Sequence, residues 1–153
     1  MGSEMCIRDR AWLLGYGGLL PFFILTVAVL LSAKLPLLGN ARLDWWLVAY
    51  AAVILSFLGA VHWGVAIGLQ DWLNERETGR MLLYSVLPAL LAWFTLLLPV
   101  NIALLVMGIL IVGAYIVDAL WLFDRLKSDY AKLRLHLTIV AALLLFAAGV
   151  GIS

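Results

Sequence analysis

Five long apolar runs dominate the sequence and decide what the chain can fold into. They cover residues 11–33, 45–69, 81–98, 102–123 and 135–152. Asp118 is the only residue with a formal charge inside them. A helix that crosses a membrane needs about 20 apolar residues, because the hydrocarbon layer is about 30 Å thick and a helix rises about 1.5 Å per residue. We therefore predict an all-α fold, a polytopic membrane protein built as a bundle of five transmembrane helices.

The composition excludes other classes of protein. Hydrophobic residues make up 66% of the chain and charged residues 12%, whereas a soluble domain has about 45–50% and about 25%. The net charge of +1 leaves no surplus of basic residues to neutralise the phosphates of a nucleic acid. The lipid bilayer is therefore the expected partner, and no nucleic acid is expected.

Residues 1–10 differ from the rest of the chain. They contain Cys6, the only cysteine, and the stretch Glu4–Arg10 resembles the translation of a transposase-end adapter used in sequencing libraries. We expect residues 1–10 to be a non-native tail, with a genuine short tail as the alternative. Residues 11–153 then form a single transmembrane domain without cysteine, which excludes disulfides and thiolate ligands from it.

The basic residues between the runs predict the orientation. The loops at 70–80 and 124–134 hold six of them, and the loop at 34–44 holds Lys34 and Arg42. The six are Arg76, Arg80, Arg125, Lys127, Lys132 and Arg134. Because cytoplasmic loops carry an excess of Lys and Arg, we predict a cytoplasmic N-terminus and a C-terminus on the opposite side.

Ionisable residues inside membrane spans are costly and usually face the bundle interior. His62 and Asp118 fall at a similar depth near the cytoplasmic boundary, which predicts that they lie close enough to interact. Arg80 and Lys127 are alternative partners for the carboxylate. The candidate polar cluster in this half of the membrane is His62, Asp118, Tyr84, Ser85, His136 and Tyr16. A structural hydrogen bond of His62 to a neighbouring helix is the alternative to a proton-accepting or ligand-holding role.

No cofactor, metal or catalytic residue is expected. His62, His136 and Asp118 form a two-histidine, one-carboxylate set only formally, because they come from three runs at no diagnostic spacing. The sequence contains no Gly-rich phosphate loop, HExxH or GxSxG motif, so it does not predict an enzyme.

Small residues recur every four positions along the second run, at Ala60, Gly64 and Gly68. Such spacing lets helix backbones approach closely. We predict that this face packs against another helix, either of the same chain, of a second copy in a homo-oligomer, or of a membrane-protein partner.

Four segments resemble a known family. They read LGYGGLLPF at 14–22, SFLGAVHWG at 56–64, YSVLP at 84–88 and LRLHLT at 133–138. They resemble the small bacterial inner-membrane proteins named domain of unknown function 3429, and a mitochondrial transmembrane protein is also similar. The resemblance implies a multi-pass protein of the bacterial inner membrane, and it implies no catalytic residues. In that membrane the orientation predicted from the basic residues places the C-terminus in the periplasm.

Two functional hypotheses follow from the short loops and the polar groups. The first is a non-catalytic accessory or assembly component of a larger membrane complex. The alternative is a small solute or proton-linked transporter that uses the inner-leaflet polar cluster. Transport by the purified protein in liposomes would favour the second hypothesis, and co-purification with a membrane complex the first.

Overall fold

The computed structural model describes residues 2–32, 42–126 and 128–152. These residues form five α-helices and one short 3₁₀ helix at Phe123–Arg125, and no β-strand occurs among them. The α-helices are α1 (Gly2–Ser32), α2 (Leu43–Gly68), α3 (Glu75–Thr95), α4 (Val100–Trp121) and α5 (Ser128–Gly151). The all-α prediction is confirmed.

Four of the five helices are long and apolar enough to cross a membrane. The segments are Cys6–Leu31, Leu43–Gly68, Val100–Trp121 and Asp129–Gly151. Helix α3 differs because its first turns carry Glu75, Arg76, Glu77 and Arg80. Its apolar part, residues 81–95, is about 22 Å long at about 1.5 Å per residue, which is shorter than the hydrocarbon layer. The structure therefore supports four of the five predicted spans, and the crossing of α3 stays a prediction.

Local signals fix where α3 and α4 begin. The Asn74 side chain accepts a hydrogen bond from the Glu77 backbone N–H at 2.8 Å, and the Glu77 carboxylate accepts one from the Asn74 N–H at 3.4 Å. This capping box satisfies two donors at the start of α3. Pro99 precedes α4, where its missing N–H removes no helical hydrogen bond. The connections before the two helices are short, at residues 69–74 and 96–99.

The helices pack as a ring with one helix added beside it. Helix α1 packs against α2 and α5, and α4 packs against the same two helices, while α3 packs against α2 and α4. Gly15, just before the middle of α1, lies against Leu133 near the start of α5. Gly151 at the end of α5 lies against Leu30 at the end of α1. Successive helices therefore alternate in direction, and the C-terminal ends of α2 and α4 share one end of the bundle with the N-terminal ends of α1, α3 and α5.

Buried apolar side chains fill the interior of the bundle. The main core includes Phe22 and Val29 of α1, Leu47 and Leu55 of α2, Ala92 of α3, Met107 and Ile111 of α4, and Leu145 of α5. A smaller core holds Ala66, Leu73, Met81 and Leu122. The outer surface is also apolar, with Phe57, Leu83 and Leu120 more than half exposed. Such a surface suits lipid as its solvent.

The predicted packing face of α2 is not covered by a described helix of this chain. Ala60, Gly64 and Gly68 are exposed, and no atom from the other described helices comes within 4 Å of a Cβ built at Gly64 or Gly68. Packing of this face against a second copy or another membrane protein stays a prediction. The close approach occurs one residue away, at Gly59, where a Cβ would lie 2.5 Å from the Ser85 carbonyl oxygen and 3.1 Å from Pro88 Cγ.

Candidate functional site

A buried carboxylate organises one end of the bundle. Asp118, near the C-terminal end of α4, is 2% exposed. Its Oδ2 lies 3.0 Å from Nε of Arg134 on α5, and its Oδ1 lies 3.4 Å from Nε2 of His62 on α2. A charge removed from water must be paired, and here the carboxylate is paired from two other helices. We refer to His62, Asp118 and Arg134 as the buried triad.

The helical repeat places each member of the triad in the interior. Each residue continues a buried stripe spaced three or four positions apart, which is the spacing of one helix face. The stripes are Leu55, Gly59 and His62 on α2; Met107, Ile111, Ala114 and Asp118 on α4; and Arg134, Thr138, Ala141 and Leu145 on α5. The polar end of the bundle is therefore a continuation of its apolar core.

The structure corrects the position predicted for Arg134. The hydropathy pattern places Arg134 in the loop at 124–134, as a cation that sets the topology. The structure begins α5 at Ser128, which places Arg134 inside the helix and only 4% exposed. Its Nη1 donates a hydrogen bond to Oγ1 of Thr138. Pairing with Asp118 makes this burial tolerable, because the two formal charges cancel.

Of the two cations proposed as partners for Asp118, the structure describes Arg80 and places it elsewhere. Arg80 is exposed, and its guanidinium lies 4.6 Å from the centre of the Trp121 ring. Lys127 and the loop residue Lys34 lie outside the described residues. A signal for Arg134 was present in the sequence, since Arg134 and Thr138 are one turn apart and a carboxylate on the preceding run needs a cation.

Aromatic rings separate the triad from the end of the bundle. The Tyr84 ring lies edge-on to the His62 ring, with 4.6 Å between ring centres. The Trp121 ring packs on the other side of Tyr84 at 5.5 Å, and Arg80 lies over Trp121. This arrangement shields His62 and Asp118 from the polar turn between α2 and α3.

The six residues of the predicted polar cluster do not all meet. The structure brings together His62, Asp118 and Tyr84. Ser85 instead donates a hydrogen bond to the Leu82 carbonyl of its own helix at 2.6 Å. The remaining two residues, Tyr16 and His136, lie elsewhere, at the exposed surface where α1 meets α5.

Tyr16 and His136 both contact Trp12 rather than the triad. The Tyr16 ring centre lies 5.8 Å and the His136 ring centre 5.7 Å from that of Trp12. Both residues are exposed, and Nδ1 of His136 lies 2.8 Å from the Lys132 carbonyl oxygen. Their side chains point away from the bundle interior, so the prediction that they join the cluster is wrong for these two residues.

The prolines inside α1 and α3 both lie close to a residue of α2. Pro21 removes the hydrogen bond to the carbonyl one turn earlier, at Gly17. The Tyr50 hydroxyl of α2 donates to the adjacent Gly18 carbonyl at 2.7 Å. At Pro88, the missing side chain of Gly59 makes room for the α3 backbone. Both prolines therefore lie where α2 packs closely on a neighbouring helix.

The geometry of the triad is suited to holding three helices together. It joins α2, α4 and α5 by contacts of 3.4 Å and 3.0 Å. With His62 neutral, the carboxylate and the guanidinium cancel. Breaking such a pair in the interior leaves an uncompensated charge, which is strongly unfavourable.

Comparisons with known proteins agree with the membrane character of the chain. A family model described as "Protein of unknown function (DUF3429)" matches residues 7–150. Transmembrane protein 69 of Xenopus tropicalis is 38% identical over 143 residues, covering 84% of this chain and 49% of that protein. The chain thus spans about half the length of this relative, and no solved structure matches it. The match over residues 7–150 confirms the resemblance seen in the sequence: the chain belongs to the DUF3429 family of proteins of unknown function.

Proposed function

We propose that the protein is a non-catalytic membrane component that packs against a larger membrane assembly and assists it. The observation that carries this proposal is the small-residue face of α2. Ala60, Gly64 and Gly68 are exposed, and no described atom of this chain comes near a side chain built at the two glycines. In lipid, small residues at this spacing allow another helix to approach closely. The proposed occupant is a transmembrane helix of a different protein.

The buried triad supports this structural role. Asp118 is neutralised by Arg134 within the fold, and Tyr84 and Trp121 cover the triad at the end of the bundle. A closed ion pair of this kind holds α2, α4 and α5 in one arrangement. A rigid bundle presents the α2 face to a partner without a loss of conformational freedom on binding.

A photocrosslinking experiment tests the proposed partner. A photoreactive amino acid at Ile67, which is exposed beside Gly64 and Gly68 on α2, leaves the small residues intact and is expected to give a discrete cross-link to another membrane protein in native membranes. The control position is Ile109 on α4, which is also exposed, at 61%, and is expected to give none. A cross-link to a second copy of the chain would replace the proposal by a homo-oligomer. No discrete product at Ile67, or the same product at both positions, would overturn it.

We further propose that α3 completes a set of five spans in a bacterial inner membrane. Helix α3 packs along α2, and Ala92 near its C-terminal end reaches the main core. Removing the buried Arg134 from the six basic residues of the 70–80 and 124–134 loops leaves five, against two at 34–44. The positive-inside rule therefore still favours a cytoplasmic N-terminus and a periplasmic C-terminus.

Reporter fusions test this topology and the crossing of α3 together. A reporter active only in the periplasm is expected to work after Ser153 and at Arg42, and to fail at Thr78. The Arg42 fusion is the control, because this site is periplasmic with either four or five spans. Activity at Arg42 alone would show that α3 does not cross. Activity at Thr78 with none at Arg42 would reverse the orientation.

A small solute or proton-linked transporter is the second candidate function. It is favoured by the contact between two titratable side chains, His62 and Asp118, in the bundle interior. Movement of protons or a solute by the purified protein in liposomes, abolished by His62→Ala, would support it over the accessory role.

A further inference from the structure

A cavity of about 170 Å³ lies beside the buried triad. Its lining comes from α1, α2 and α5 and includes Ile111 of α4. Two of its lining residues, Leu14 of α1 and Phe57 of α2, are 75% and 66% exposed. The cavity therefore reaches from the triad to the lipid-facing surface of the bundle.

The cavity is apolar except for two side chains, Arg134 and Thr138 of α5. Arg134 is 4% exposed, and its guanidinium is held by Asp118 and Thr138. Thr138 accepts a hydrogen bond from Nη1 of Arg134, so its hydroxyl proton is available to a different acceptor. The inner end of an apolar cavity thus offers one hydrogen-bond donor, the Thr138 hydroxyl, beside a buried cation. A buried donor without an acceptor is unfavourable, so a molecule that supplies an acceptor here gains affinity.

The ion pair beside the Thr138 hydroxyl limits the chemical class of ligand that the cavity can bind. The guanidinium of Arg134 is already balanced by the Asp118 carboxylate, which lies 3.0 Å from Nε. A second anion would meet that carboxylate at short range in a medium that screens poorly. A neutral oxygen acceptor meets no such repulsion.

We propose that this cavity binds a neutral membrane amphiphile through a carbonyl oxygen. The carbonyl accepts a hydrogen bond from the Thr138 hydroxyl, beside the Arg134 guanidinium. The apolar body lies along Gly18, Phe22 and Phe57 and leaves toward the lipid. A quinone carbonyl and an acyl-ester carbonyl share this chemistry. The site does not depend on whether a partner docks on the small-residue face of α2.

Equilibrium binding of radiolabelled probes to the purified full chain in detergent tests the site. The neutral probes are decylbenzoquinone and methyl palmitate, and palmitate is the anionic counterpart. At least one neutral probe is expected to bind one to one, and palmitate to bind at least about tenfold more weakly. The neutral probe that binds more tightly identifies the quinone or the ester as the source of the carbonyl.

Two variants locate the binding in this cavity. Thr138→Val removes the hydroxyl at nearly constant shape and is expected to weaken binding about tenfold. Gly18→Leu fills the cavity and is expected to abolish it. Thr95→Val is the control, because Thr95 is a buried threonine of α3 that donates to its own helix at the Leu91 carbonyl. Three results would overturn the proposal. They are no binding of either neutral probe, wild-type affinity in both Thr138→Val and Gly18→Leu, and tighter binding of palmitate than of the neutral probes.

Discussion

Replacement of Arg134 by leucine is expected to lower the free energy of unfolding by about 3–5 kcal/mol, the range for removing one partner of a buried ion pair. The variant leaves the Asp118 carboxylate buried without its cation, and the neighbouring His62 imidazole lies 3.4 Å away. Adding Asp118→Leu removes the stranded charge. The double variant is therefore expected to regain most of the lost stability.

Unfolding in mixed detergent micelles, followed by tryptophan fluorescence, measures this effect. The control is Lys132→Leu, which removes a cation from an exposed position on the same helix and is expected to change stability by less than about 0.5 kcal/mol. An Arg134→Leu variant as stable as Lys132→Leu would contradict the buried pair.

Double-mutant cycles then rank the two contacts of Asp118. The coupling of Asp118 with Arg134 is expected to exceed that of Asp118 with His62, because the first pair is charged and the shorter of the two. Both couplings are expected to exceed about 0.5 kcal/mol, the usual limit for residues that do not touch. Additive effects of His62→Ala and Asp118→Asn would show that His62 does not contribute to the triad.

Gly59→Ala is expected to destabilise the protein by about 1–3 kcal/mol, the range for overpacking a core. The new methyl group would lie 2.5 Å from the Ser85 carbonyl oxygen, so α2 and α3 must move apart. Gly64→Ala is the matched control, because it changes the same residue type five positions along the same helix. It has open space in the described structure and is expected to be neutral or to gain up to about 1 kcal/mol from helix propensity.

The same unfolding measurement compares the two variants. Gly59→Ala is expected to unfold at a lower concentration of denaturing detergent than the wild type. Gly64→Ala is expected to unfold at the same or a higher concentration. Equal shifts would mean that the closest approach of α2 to α3 is not at Gly59.

The positions of the helices could be predicted from the sequence because each apolar run is bounded by charged or turn-forming residues. The run at 102–123 corresponds to α4 at Val100–Trp121. The start of α5 was missed because a hydropathy argument weighs each residue alone. Arg134 counts as polar on that basis, whereas in the fold Asp118 neutralises it. That information lies in the tertiary contact and not in the run itself.

The site was predicted only along the helix axes. Counting residues from a membrane boundary gives the depth of a side chain, and this brought His62 and Asp118 together. It does not give the angle around the axis, which an apolar run does not reveal when large apolar residues also face lipid. Tyr16 is exposed, and the close approach of α2 to α3 is at Gly59. Gly59 is five residues from Gly64, which is about 140° around the helix at 3.6 residues per turn.

The ion pair between α4 and α5 also bears on how the chain enters the membrane during synthesis. Asp118 leaves the ribosome before Arg134, and a charged side chain in a single inserting helix costs up to about 2.5–3.5 kcal/mol, the value at the helix centre. Entry of the two helices together cancels both charges before either meets lipid. The energetics therefore favour insertion of α4 and α5 as one helical hairpin, with α4 waiting at the insertion machinery until α5 has been made.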